Sequence, residues 1–232
     1  MKHYTHLFFD LDHTLWDYEN NARETLNELF IEFNMLRYFS RVDAFINVFH
    51  SVNFGLWDKY NRSEIGREDI REQRFAQVLE GRGKPDMVLT TSMSDFFIQQ
   101  CPRKGQLIDG TRELLKAISH KYSINIITNG FTDTQNTKLI SSDIDHFFDH
   151  VVTSESTGSR KPDSGIFDYA LEISGAESEK SLMIGDNLQT DIAGAQDAGW
   201  DVVWYNHKGE SKSDTKVDTI HHLSELMAML SH

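Results

Sequence analysis

Cysteine is almost absent. Cys101 stands alone among 232 residues, so no disulfide can close within the chain, which fits a reducing compartment. Long apolar runs are missing as well. No stretch is long enough to span a bilayer as a helix, and the opening MKHYTHLFFD carries no apolar signal segment. A soluble, cytoplasmic protein with no membrane partner is the expectation. Positive charge is scarce: 23 Lys and Arg against 36 Asp and Glu leave a formal charge of -13. A nucleic-acid polymer is met by clustered cations, so the balance argues against such a partner. It leaves room for a small phosphorylated substrate in a locally positive site. No GxxxxGK[ST] string occurs, which argues against an ATP-consuming P-loop. Internal repeats are lacking, and the one polar tract, GESKSDTK at 209–216, reads as a surface loop. Nothing here separates a monomer from a dimer.

What is present is ordinary in bulk and specific in detail. Hydrophobic content of 39% and charged content of 25% suit a globular chain of one large domain, or of one domain with an insertion. From about residue 105 onward, short apolar segments alternate with helical ones. Helical spacing covers Thr111–Lys121, Thr134–Ile140, Ile166–Ile173, Ile192–Ala198 and Leu223–Leu230. Strands are expected at Ile124–Ile127, Val151–Val152, Leu182–Ile184 and Val202–Trp204, with Leu7–Phe9 as a first strand. Strands this short and apolar, separated by helices, indicate parallel βαβ units covered on both faces. The expected fold is a doubly wound, Rossmann-like α/β core.

The stretch 18–102 reads differently. ETLNELFIEF, DAFINVFHSV and EDIREQRFAQVL carry apolar residues at helical spacing and no strand pattern. A helical insertion over 18–102, flanked by a core of 1–17 and 103–232, is the expected division. Eight of its ten basic residues are arginine, against three of thirteen elsewhere. Solvated charge and contact with a phosphate or base both account for that bias.

Several strands stop at polar groups. FFDLDHTLWD ends a strand in Asp10 and Asp12, with Thr14 close behind; IITNG ends one at Thr128; a third ends near Ser154 and Glu155; LMIGDN ends a fourth at Asp186. In an open parallel sheet, ligands bind beyond the carboxyl ends of the strands. Two carboxylates beside apolar residues are costly unless a cation lies between them. One carboxylate can attack an electrophile while the other exchanges a proton with the leaving group. Asp186 is placed to help hold a hard cation. Asp191 could support that cation through water or cap the helix that follows. Thr128, with the backbone amides around Asn129 and Gly130, could cradle phosphate oxygens, and Lys161 in SRKPD offers an ammonium. Taken singly, Thr128 is also a plausible turn residue and Lys161 a surface lysine. In order and together, each supplies a role that the others require.

FDLDHTLWD, TNG, SRKPD and GDNLQTD resemble the four sequence motifs of the haloacid dehalogenase-like superfamily of phosphohydrolases. The resemblance spans the whole chain. It implies Asp10 as the nucleophile of an aspartyl-phosphate and Asp12 as the acid/base. Thr128, Asn129 and Lys161 then take phosphate. Asp10, the backbone carbonyl of Asp12, and Asp186 hold Mg²⁺, with Asp191 behind them. The insertion resembles this superfamily's C1-type cap, which closes over the site. The dehalogenase branch lacks an aspartate at the place of Asp12, so its presence implies phosphoryl transfer.

TLWD and the segment LWDKYNRSEIGREDIREQRF are similar to the pyrimidine 5′-nucleotidase branch. That likeness implies a nucleoside 5′-monophosphate as substrate, with Trp16, Trp57, Tyr60 and Arg62 as candidate base contacts. Packing within the cap accounts equally for the tryptophans. A sugar phosphate or phosphoglycolate, phosphoryl shift within a hexose phosphate, and a non-catalytic sensor of a phosphorylated ligand stay open. His146 and His150 have a spacing that would share one helix face, as metal ligands sometimes do. His221 and His222 are expected at a helix start.

Overall fold

A computed structural model describes residues 3–83, 86–211 and 217–230; most of the GESKSDTK tract lies outside the described residues. From the N-terminus, strand β1 (His6–Phe9) leads into four helices: α1 (Tyr18–Glu32), α2 (Val42–Asn61), α3 (Arg67–Val78) and α4 (Met87–Gln100). Helices and strands then alternate: α5 (Thr111–Ile118), β2 (Ser123–Thr128), α6 (Thr132–Ser141), β3 (His150–Thr153), α7 (Ser154–Thr157) and α8 (Ser164–Ser174). They continue through β4 (Ser181–Gly185), α9 (Gly194–Asp197), β5 (Asp201–Tyr205), β6 (Asp218–Ile220) and α10 (Leu223–Leu230). Two compact units result, Met1–Tyr18 with Gly105–His232, and Glu19–Lys104.

The first unit is built on one sheet of order β3-β2-β1-β4-β5-β6, with every neighbouring pair parallel. Burial on both faces explains the unbroken apolar runs: Leu7, Phe8 and Phe9 have no exposed surface, and all five residues of β4 are buried. On one face, Phe8, Ile127, Val152, Phe167, Met183 and Trp204 form a cluster around Trp200, whose ring lies 4.5 Å from Phe8 and 5.5 Å from Phe167. The chain runs outward from β1 through β2 to β3, then crosses to β4 and runs outward through β5 to β6. The reversal therefore lies between β1 and β4, where an open α/β sheet offers its crevice.

Two local expectations need correction. β6 gave no strand signal, because a three-residue edge strand with one exposed and one half-buried member has too few apolar positions to announce itself. The stretch expected as a helix over Ile192–Ala198 is a wide π turn, Leu188–Ala193, followed by the single turn α9. The amides of both Asp191 and Ile192 bond to the Asn187 carbonyl, at 3.0 and 3.2 Å, and the i→i+5 bond widens the turn.

The second unit has an aromatic core on the helical spacing of α2, α3 and α4. Phe49 lies 4.8 Å from Phe97 and 5.5 Å from Phe75, and all three are at most 5% exposed. Surface pairing and aromatic packing account for four of its arginines. Arg23 and Arg71 pair with Asp43 and Asp95 at the surface. Arg74 is buried, with its guanidinium 5.2 Å from the Phe97 ring centre, and Arg82 lies 4.3 Å over Phe39. Cation–π packing, more than solvated charge, explains those two.

Candidate active site

The turn after β1 sets the site. The Asp10 amide bonds the Ile184 carbonyl at 2.9 Å, extending the ladder to β4 by one residue. The chain then folds tightly, the Leu11 carbonyl accepting from the amides of Leu15 and Trp16 at 3.0 and 2.8 Å. His13 sits at the tip with φ 65°. Asp10 thus stays at the strand end, beside the ends of β2 and β4.

Asp10, Asp186 and Asp191 offer carboxylate oxygens that all lie within 4.8 Å of one another. Lys161 is inserted among them, its Nζ 2.6 Å from Asp10 Oδ1, 2.8 Å from Asp191 Oδ1 and 2.8 Å from the Ile127 carbonyl. The lysine is 2% exposed and all three of its N–H donors are engaged. It pairs with Asp10 and Asp191 in this arrangement, and contact with a phosphate would require one of those bonds to be exchanged. Burial drives the Asp10 carboxyl up to about 7, against the pull of Lys161 and with repulsion from Asp191 and Asp12 adding to the rise. Burial, then Asp191 and Asp10, push Asp186 up as well. Burial alone would lower Lys161, but Asp10 and Asp191 more than offset it and its ammonium is held charged.

Asp191 is not the N-cap residue. Asn187 is the cap, its Oδ1 accepting from the amides of Gln189 and Thr190. Asp191 instead is fixed by the Asn187 amide on Oδ2 at 3.0 Å and by Thr190 Oγ1 on Oδ1 at 3.1 Å. A Cβ at Gly185 would lie 2.3 Å from Asp191 Oδ2, so only glycine lets that carboxylate rest against the end of β4.

Asp12 lies apart from this trio, in a network that its neighbours in sequence do not reveal. Both its oxygens are 2.7 Å from Lys138 Nζ, and Gln135 Nε2 donates to Oδ2 at 3.0 Å. Burial alone would raise the Asp12 carboxyl; Lys138 outweighs burial, helped by Gln135 and His13, and holds it below the ordinary range. Gln135 also donates to Thr128 Oγ1 at 2.7 Å, and the Gly130 amide donates to the same oxygen at 3.0 Å. With both acceptances taken, the Thr128 hydroxyl proton is left to point elsewhere, which suits a donor to an anion. Helix α6 supplies both Gln135 and Lys138, three residues apart on one face, yet nothing in their spacing names a partner more than 120 residues away.

The remaining expected residues are distributed as follows. The Asn129 side chain is locked in a mutual pair with the Lys161 backbone, at 2.9 and 2.8 Å, so only its main chain is available near Thr128. Ser154 Oγ bonds the Asn129 carbonyl, and Glu155 accepts from the Thr132 amide. Trp16 presents no free face: it is fully buried, with Lys138 Nζ 4.6 Å from its ring centre. In the helical unit, Tyr60 is 4% exposed and its ring meets half-buried Trp57 edge-on at 5.3 Å. Arg62 is held by Asp58 and Glu64. His146 lies on a 3-10 turn and His150 begins β3; they share no helix face, and among the described residues they join no metal-ligating group. The amides of His221 and His222 bond Glu225 at the start of α10.

An all-carboxylate donor set within 4.8 Å suits a hard divalent cation. Comparison with known proteins agrees with this chemistry. Residues 4–199 match the profile of haloacid dehalogenase-like hydrolases. The pyrimidine 5′-nucleotidase PynA of Streptococcus pneumoniae is 31% identical over 88% of this chain and 84% of its own. A glyceraldehyde 3-phosphate phosphatase of Methanothermobacter thermautotrophicus is 28% identical over 95% and 98%. The HAD-hydrolase YfnB of Bacillus subtilis, solved bound to magnesium, superposes with a TM-score of 0.89 at 29% identity over the whole of both chains. The chain belongs to the haloacid dehalogenase-like hydrolases and is a phosphoric monoester hydrolase.

Proposed function

We propose that this phosphatase acts on nucleoside 5′-monophosphates, through a phosphorylated Asp10 and with Mg²⁺ as its cofactor. The observation that carries the reading is the convergence of Asp10, Asp186 and Asp191 around Lys161 at the switch point of the sheet. Asp10, Asp186 and the Asp12 carbonyl would hold the ion, with Asp191 behind them, and the ion when bound offsets repulsion between the anionic nucleophile and the phosphate.

This chain's own residues do the rest. An Asp10 oxygen attacks phosphorus, the P–O ester bond breaks, and the leaving oxygen takes its proton from the Asp12 carboxyl, which has to be protonated against the hold of Lys138 before this step. Asp12, again a carboxylate, then removes a proton from water as that water attacks the aspartyl-phosphate, releasing phosphate and restoring Asp10. Lys138 and Gln135 orient Asp12 and favour its charged form, the state needed for the second step. Thr128 donates its hydroxyl to a phosphate oxygen, with the Gly130 amide bonded to its Oγ1 from behind. The helical unit 19–104, as a cap, would exclude water during transfer and select the leaving group.

The nucleotide assignment rests on the likeness to PynA. A triose or other sugar phosphate is the second reading, favoured by the archaeal relative. A panel of dUMP, dTMP and UMP against purine nucleotides and sugar phosphates decides between them; preference for the pyrimidine set is expected, and preference for glyceraldehyde 3-phosphate would overturn it. Asp10→Asn is expected to cost roughly 10⁴-fold or more in turnover, with the fold intact by circular dichroism. Retained turnover would remove Asp10 as the nucleophile.

A further inference from the structure

Asp186 belongs to two groups, not one. Besides its place with Asp10 and Asp191, its carboxylate lies with the rings of His13 and His207, the ligand atoms again all within 4.8 Å of one another. All three residues are half-buried and lie in the same compact unit. His207 has no part in the hydrolysis derived above, and His13 enters it only through its effect on the Asp12 carboxyl.

Each member of this second group is braced. His13 is held at the tip of the β1 turn in left-handed backbone, φ 65°, a conformation that a non-glycine residue keeps only where surrounding structure imposes it. Its ring packs on Tyr18 at 4.9 Å, and its amide bonds the Trp16 carbonyl at 3.0 Å. The His207 ring stacks on Tyr205 at 5.3 Å and 19°. The Asp186 carbonyl accepts from Trp204 Nε1 at 2.9 Å. Lys208 is a cation that acts on Asp186 from outside the acidic trio.

We infer that His13, Asp186 and His207 form a binding site for a borderline divalent transition metal, zinc foremost, and that its occupation withdraws Asp186 from the oxygen-only set. Two imidazoles and one carboxylate suit Zn²⁺, Co²⁺ or Ni²⁺ and not Mg²⁺, which takes oxygen. Zn–N and Zn–O bonds run about 2.0–2.2 Å, so small side-chain rotations bring ligand atoms at the present spacing onto one ion, with water in the fourth position. The carboxylate that turns toward the imidazoles is lost to Asp10 and Asp191. Zinc therefore inhibits, and magnesium relieves the inhibition by competition. The competition rests on the magnesium reading above; the site itself does not.

Co²⁺ reports the site directly, because four-coordinate ligation strengthens its visible absorption bands well beyond those of the aqueous ion. Metal-free protein titrated with Co²⁺ is expected to develop those bands with one tight equivalent, and Zn²⁺ to abolish them. His207→Gln and, separately, His13→Gln should weaken Zn²⁺ competition beyond about 100-fold, the upper end of what loss of an outer-shell partner costs; His146→Gln should not. Equal affinity in wild type and His207→Gln overturns the site. In turnover assays, rising Mg²⁺ should shift the half-inhibitory Zn²⁺ concentration upward in wild type, and His207→Gln should lose zinc sensitivity relative to its own activity. Zinc sensitivity unchanged in His207→Gln overturns the competition. Cobalt bands that persist in a protein whose turnover ignores Mg²⁺ support the site and count only against the magnesium reading.

Discussion

The two units use buried charge in opposite ways. In the sheet unit, Asp10, Lys161 and Asp191 sit together with almost no exposed surface, and at Asp10 the cost of burial exceeds the pull of Lys161. In the helical unit, the buried charge of Arg74 lies against the faces of Phe97 and Phe49, where a planar guanidinium packs as part of an aromatic core. Like-signed groups crowd together in the first and are dispersed in the second. A fold does not require three converging carboxylates, so their presence marks chemistry; an arginine on aromatic rings is explained by packing alone.

That contrast can be broken from either side. The largest effect is expected for Lys161→Met, which leaves buried carboxylates uncompensated. Loss of one partner from such a group costs about 3–5 kcal/mol, read as a fall in the urea midpoint of the metal-free protein, with a large part recovered when Mg²⁺ is added. Phe49→Ala should cost a similar amount, about 3–5 kcal/mol, with no recovery by Mg²⁺. If the cation rescues both variants equally, the distinction between the units fails.

A smaller effect concerns pH. Asp10 is raised to about 7 and Asp186 also stands above the carboxyl range. A carboxyl raised in the folded state contributes stability that is full below its ordinary value, near 4, and is lost as pH climbs through about 7. Metal-free protein should therefore lose this contribution between pH 4 and 8. The cation binds the ionised form, so the rise in Tm on adding Mg²⁺ should be larger at pH 8 than at pH 5. At 100 times the dissociation constant, stabilisation is about 2.7 kcal/mol. A rise independent of pH would mean that these carboxyls are not what the ion meets. The smallest effect belongs to Arg62→Ala. Its guanidinium is exposed and already paired with Asp58 and Glu64, so neither the urea midpoint nor KM for a nucleotide should move measurably. A raised KM would restore Arg62 as a substrate contact.

The α/β core was legible because local pattern and tertiary environment agree. Parallel strands buried on both faces have to read as short unbroken apolar runs, and Leu7–Phe9, Ile124–Ile127 and Leu182–Ile184 do. β6 escaped because an edge strand of three residues has no such requirement. The turn after β4 was misread as a plain helix because Asn187 as cap and the widened ring at Ile192 depend on where Asp191 must point. Trp16 resembled a base contact while its ring was already taken by Lys138.

By itself, the sequence determined the order of the strands along the chain and the polar residues that end them, since periodicity and chain breaks are properties of neighbouring residues. Tertiary structure alone decided which of those residues meet. Sheet order brings the ends of β1 and β4 together across more than 170 intervening residues, and so places Asp10 with Asp186 and Asp191. It sets Lys138 and Gln135 on Asp12, and His207 beside His13. Distances between side chains remote in sequence are fixed by the packing of the whole core, and no local pattern encodes them.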